Sequence, residues 1–122
     1  MPADPSLKRL RQLCLSLPEA VEDAHGVGNP SFKVSGRIFA MHMVNHHGDG
    51  ETAFWCKVPP GGQEALTASQ PETYFVPPYV GRFGWVGVRL DRPLDWAEVR
   101  DLVEDSYRLV APRRLGRRLD SG

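Results

Sequence analysis

Six side chains in the middle of the chain have the types and spacing of a nucleic-acid surface: Arg37, Phe39, Trp55, Lys57, Trp85 and Arg89. Aromatic rings stack on bases, and cations neutralise phosphates. Arg37 and Phe39 are two positions apart, as are Trp55 and Lys57, and Trp85 and Arg89 are four apart. Even spacing puts side chains on one face of a strand. If the registers align, all six meet on one side of a sheet. The plainer alternative is packing, with rings held beneath a loop or the C-terminal tail and Arg and Lys stems lying over them. Arg113, Arg114, Arg117 and Arg118 could add phosphate contacts. A solvated, frayed end is the simpler expectation for them.

Other chemistry has weaker support. His42, His46 and His47, with Asp49 and Glu51, carry ligand types for zinc or a similar divalent ion. They match no established ligand spacing, and adjacent histidines in a strand or loop point apart, so no metal site is expected. Glu98, Asp101, Glu104 and Asp105 form an acidic stretch, explained by offset of a helix dipole and by an i,i+4 pair of Glu104 with Arg108. The sequence has no nucleophile elbow, phosphate loop or metalloprotease motif. Ser106 falls on the core side of a helix and Cys14 among apolar residues, neither with an evident base. The reading is a non-enzymatic protein with no cofactor.

The totals bound the problem. A chain of 122 residues is one domain and buries roughly two thirds of its unfolded surface. With 41% hydrophobic and 25% charged residues, disorder is not expected. Fifteen basic and fifteen acidic residues give zero formal charge, which argues against strong non-specific nucleic-acid binding but leaves room for a local basic patch. Cys14 and Cys56 read as buried free thiols. The N-terminal residues hold no apolar run long enough for a signal peptide or membrane span, so the cytoplasm is the expected compartment and no membrane partner is expected.

The elements that must position the six side chains are organised around Tyr74 to Leu90. Tyr74-Phe75-Val76 favours a strand, and Pro77-Pro78 ends its ladder. From Gly84 the pattern has period two: Val86, Val88 and Leu90 face the core, and Trp85, Gly87 and Arg89 face away. This predicts a strand, a proline-stiffened corner and a second strand at the heart of the sheet. Before it come an amphipathic helix through Leu7, Leu10, Cys14 and Leu17, which Pro18 stops, and a short edge strand at Val21 to Ala24. A hairpin follows, turning at Ser35-Gly36, with Ile38, Ala40 and Val44 on one face of its second strand and Phe39, Met41 and Met43 on the other. Residues 45–51 read as an exposed turn, and Thr52 to Val58 as a strand with Trp55 and Lys57 facing away from Phe54, Cys56 and Val58. A short helix at Gln63 to Ala68 buries Leu66. Asp95 caps a last helix with Glu98 at N3, Leu94 and Val99 form a hydrophobic staple, and Val99, Leu102, Val103, Ser106, Tyr107 and Val110 line its inner side. The class is α+β, an antiparallel sheet covered on one face by the N- and C-terminal helices. The ordered core spans about 5–112, followed by a basic tail at 113–122.

The pieces resemble, in order, those of the MmcQ/YjbR family of small bacterial proteins. They are Leu17-Pro18-Glu19-Ala20, Phe32-Lys33-Val34, Gly36-Arg37-Ile38-Phe39-Ala40, Trp55-Cys56-Lys57, Pro77-Pro78-Tyr79, Gly84-Trp85-Val86-Gly87-Val88 and Ser106-Tyr107-Arg108-Leu109-Val110. The likeness covers residues 7–111, and the lysine–cysteine pair of the family is inverted at Cys56-Lys57. The resemblance implies a frataxin-like (CyaY-like) fold and the family's label of DNA-binding proteins with a double-wing motif. The sequence therefore reads as a binding module for DNA, with Arg37, Phe39, Trp55, Lys57, Trp85, Arg89, Arg113 and Arg114 as its contact residues. The alternative is a regulator that binds a protein or small ligand on the same face.

Overall fold

Ser35 and Gly36 both take positive φ, 51° and 80°. Two such residues in a row make the primed turn that matches strand twist, so β2 (Pro30–Val34) folds directly onto β3 (Arg37–Val44). The structure, a computed structural model, describes residues 5–24, 29–44, 52–91 and 94–121. Around this hairpin β1 (Val21–Ala24), β4 (Thr52–Lys57), β5 (Tyr74–Phe75) and β6 (Trp85–Arg89) complete a six-stranded sheet of order β1-β2-β3-β4-β6-β5. Every pairing is antiparallel. Four helices accompany it among the described residues: α1 (Pro5–Leu15), α2 (Gly62–Ser69), α3 (Trp96–Val110) and α4 (Arg113–Ser121). The result is the expected α+β arrangement, with α3 lying on β3 and β4, and α1 and α4 on α3.

The core sits between the helices and the even-numbered residues of β4 and β6. Phe54, Cys56, Val86 and Val88 are fully buried, as are Leu10 and Cys14 of α1. Val99, Leu102, Val103, Ser106 and Tyr107 form the buried face of α3. Asp95 caps that helix, its carboxylate accepting from Ala97 N at 3.0 Å and Glu98 N at 3.4 Å, which satisfies donors that have no intrahelical partner. Glu98 does not complete the box as expected. Its carboxylate accepts instead from the Tyr74 hydroxyl and from Gln70 Nε2, tying α3 to β5 and the end of α2. Arg11 grips Glu22 through two hydrogen bonds of 2.7 and 3.1 Å, fixing α1 to the edge strand β1.

Four local expectations give way. First, the pairing of β2 with β3 slips between Phe32 and Lys33: Phe32 lies opposite Ala40, but Lys33 lies opposite Ile38. Phe39 is therefore a bulge residue, and a bulge turns its extra side chain out of strict alternation. Phe39 points into the core, fully buried, with its ring edge-on to Tyr107 at 5.4 Å and 89°. Beyond the bulge the parity is inverted, so Arg37 shares the side of buried Val34, and Ile38 shares that of Lys33. Second, the arginine-rich tail is not frayed. It forms α4, because Leu115 is fully buried in the core and Leu119 packs against it. Burial of one leucine contributes about 2 kcal/mol, enough to hold a short helix in place. Third, the Tyr74–Leu90 segment lies at the sheet margin, with β5 as a two-residue edge strand and β6 next to it. Fourth, Glu104 pairs with Arg100 at 3.4 Å, and Arg108 reaches Asp120 of α4 at 2.9 Å.

Candidate functional site

The sheet face opposite the helices is built from the odd-numbered residues of β4 and β6. Trp55 lies opposite Gly87, Lys57 opposite Trp85, and Ala53 opposite Arg89. Four of the six expected side chains therefore do share one face: Trp55, Lys57, Trp85 and Arg89. Lys57 and Trp85 are direct cross-strand neighbours and both are half-buried. The position of Lys57 is set from beneath by Ser106. Its hydroxyl donates to Phe39 O at 2.6 Å and accepts from Lys57 N at 2.9 Å, so one buried side chain joins α3, the β3 bulge and the end of β4.

Within this face the rings differ in availability. Trp55 is only 4% exposed, so its indole is packing. Gly87 opens space for a ring beside it: a Cβ there would lie 2.3 Å from Phe75 Cζ, so Phe75 rests flat on the Gly87 backbone. Arg89 stacks over that ring at 4.8 Å and donates to Pro71 O at 3.1 Å. Phe75 and Arg89 thus form a closed stack at the edge strand.

The open part of the surface is the corner between β5 and β6, whose sequence signals only a turn. Val76 is 55% exposed, Tyr79 69% and Phe83 58%. Arg82 holds its guanidinium 4.8 Å over the Phe83 ring. This corner is fastened to the sheet end that carries Lys57 and Trp85, with Val58 N donating to Gly84 O at 3.1 Å. Gln63 at the start of α2 donates to Gly81 O at 2.7 Å and Trp85 O at 2.6 Å, so the exposed rings stand on a fixed backbone. Their signal in the sequence was Tyr79, Arg82 and Phe83 themselves, aromatic and cationic residues inside a Pro/Gly corner where no strand parity assigns them a face.

The remaining expected contacts lie elsewhere. Phe39 is in the core and Arg37 is at the hairpin tip, exposed. Arg113 and Arg114 belong to α4, in the helix layer. Arg114 is engaged by Glu19 through contacts of 3.0 and 3.4 Å, with Arg118 3.8 Å from the same carboxylate. The hydrogen bond from Arg114 holds the Glu19 carboxyl below its usual range. His42 is fully buried on the helix side, opposite Phe54, whereas His46, His47, Asp49 and Glu51 lie outside the described residues.

The Cys14 and Cys56 thiols are buried, and the Ser106 hydroxyl is committed to its two hydrogen bonds. Burial pushes the Cys56 thiol up to about 12 and raises that of Cys14 as well. Burial and the hydrogen bond to Glu98 raise the Tyr74 hydroxyl. Among the described residues, no group of three or more His, Cys, Asp and Glu could hold a metal ion. No described helix is long and apolar enough to cross a membrane.

Comparison with known proteins places this architecture. The chain superposes on the crystal structure of a Deinococcus radiodurans protein of the domain DUF419 with a TM-score of 0.73 and 24% identity, covering 93% of this chain and 87% of that one. A Pseudomonas syringae protein superposes with a TM-score of 0.63 and 18% identity, covering 89% and 98%. At these identities the likeness is one of fold. No curated protein matches the sequence. The sequence model of the YjbR family matches residues 15–109, from the end of α1 to the last turn of α3. By that match the chain belongs to the YjbR family.

Proposed function

We propose that this YjbR protein is a non-enzymatic DNA-binding module that works through the sheet end formed by Lys57, Trp85 and the corner residues Tyr79, Arg82 and Phe83. The observation that carries the reading is the exposure of Tyr79 and Phe83 beside a guanidinium on a rigidly held backbone. An exposed ring is available to stack on a base, and neighbouring cations meet the phosphates on either side. Unpaired bases suit such a surface best, because stacking needs an open base face. Lys57 and Arg82 are the two cations placed to contact phosphate. Their small number fits a protein of zero net charge and predicts modest affinity. The buried, protonated thiols and the committed Ser106 hydroxyl support the non-enzymatic part of the proposal.

The test is a titration of labelled single-stranded and duplex oligonucleotides at low salt, followed by anisotropy. Single strands bind more tightly, and Phe83→Ala weakens them roughly tenfold, the loss of one stacked base. Absence of binding to either form at low salt removes the proposal. The exposed Val76 side chain gives the corner an apolar component that favours a second reading, a protein partner docking on the same rings. Binding of that kind would survive added salt, whereas the DNA complex weakens.

A further inference from the structure

The other side of the molecule carries a second concave surface that the DNA reading does not use. α1 and α4 are both seated on α3, and the furrow between them is an open groove of about 800 Å³. Leu13 of α1 and Leu119 of α4 line it, both partly buried against the core. Trp96, the first residue of α3, also lines it, and the Arg9 guanidinium lies 4.6 Å over the indole. Arg100 and Arg118 face the same space.

The charge in this furrow is unbalanced. Three guanidinium groups meet one lining carboxylate, Glu104. Arg100 reaches Glu104 only at 3.4 Å, and Arg118 reaches Glu19 only at 3.8 Å. The Arg100 and Arg118 side chains are 66% and 60% exposed, so both can turn toward a ligand without breaking a tight pair. Guanidinium groups bind carboxylate, sulfonate or phosphate through paired N–H donors, and here they ring an apolar floor with an indole at one end.

We infer that the furrow between α1, α3 and α4 is a binding site for a small organic anion with a flat apolar body. The body lies on Leu13, Leu119 and the Trp96 side, and the acidic group meets Arg100 and Arg118. The volume lies within the range of small-ligand pockets and is too small for a folded domain. The site is independent of the corner around Phe83, so either can fail without the other.

Anilinonaphthalene sulfonate is a suitable probe, because it has the required flat body and one strong acid. Its uncharged analogue, N-phenylnaphthylamine, has the same body and lacks the acid. Both are titrated into the full chain and followed by probe fluorescence. The sulfonate binds more tightly than the amine. Arg100→Gln and Arg118→Gln each weaken the sulfonate roughly fivefold, as expected for one charge-assisted contact in partial solvent, and leave the amine unchanged. Both substitutions are at exposed positions, and an unchanged circular dichroism spectrum confirms that the fold is intact. Equal affinity for the two probes, or a sulfonate affinity that ignores both substitutions, overturns the inference.

Discussion

Removal of the Ser106 hydroxyl is the sharpest perturbation of the proposed DNA site that does not touch its surface. Ser106 is fully buried and makes two good hydrogen bonds, to Phe39 O at 2.6 Å and from Lys57 N at 2.9 Å. Ser106→Ala keeps the helix and nearly the same volume. It strands a carbonyl at the bulge and an amide at the end of β4, both beneath α3. Each stranded group costs about 1.5 kcal/mol, so the variant loses about 3 kcal/mol. With a urea dependence of about 2 kcal/mol per molar, the unfolding midpoint falls by about 1.5 M. Hydrogen exchange gives the local readout: the Lys57 amide loses protection in native Ser106→Ala, while the Val86 and Val88 amides keep theirs. A midpoint shift below about 0.3 M, or a Lys57 amide that stays protected, refutes the claim that this hydroxyl holds Lys57 in place.

Other predictions follow from single contacts. Gly87→Ala drives a methyl into the Phe75 ring, which lies 2.3 Å from the new Cβ, and costs about 1–3 kcal/mol by calorimetry as the ring leaves its seat. Leu115→Ala destabilises by about 2–4 kcal/mol in urea, because α4 is anchored by that one fully buried side chain. Stability falls as pH rises above about 9. The Cys14, Cys56 and Tyr74 acids are raised in the folded state, so the unfolded chain releases those protons first and gains relative stability. By the same logic the two thiols resist a thiol reagent in native buffer and react in denaturant. A native chain labelled at either cysteine contradicts the burial of both thiols in the core.

The parts legible in the sequence are those governed by simple periodicity. Val86, Val88 and Leu90 alternate without interruption and turn to the core as read, and the inner side of α3 shows the expected helical spacing. The N-cap at Asp95 follows from residue type alone. The parts that were not legible depend on long-range register. Nothing local marks a slip between Phe32 and Lys33, yet that slip buries Phe39 and turns Arg37 away from the candidate face. The burial of Trp55, in contrast to the half-buried Trp85, depends on cross-strand neighbours that a strand pattern does not name. Four arginines hide the two apolar positions, Leu115 and Leu119, that seat α4 on the core. Glu104 has an arginine at both i−4 and i+4, and Asp120 of α4 draws Arg108 away, which helical spacing alone does not show. The furrow that Trp96 lines exists only once α1 and α4 are both seated on α3.

The salt dependence of single-stranded DNA binding tests the proposed function most directly. With Lys57 and Arg82 as the two phosphate contacts, the logarithm of the affinity falls against the logarithm of salt with a slope of about −1.4. Arg82→Ala halves that slope to about −0.7. A flat salt response, or a slope that Arg82→Ala leaves unchanged, contradicts a nucleic-acid surface at the corner between β5 and β6.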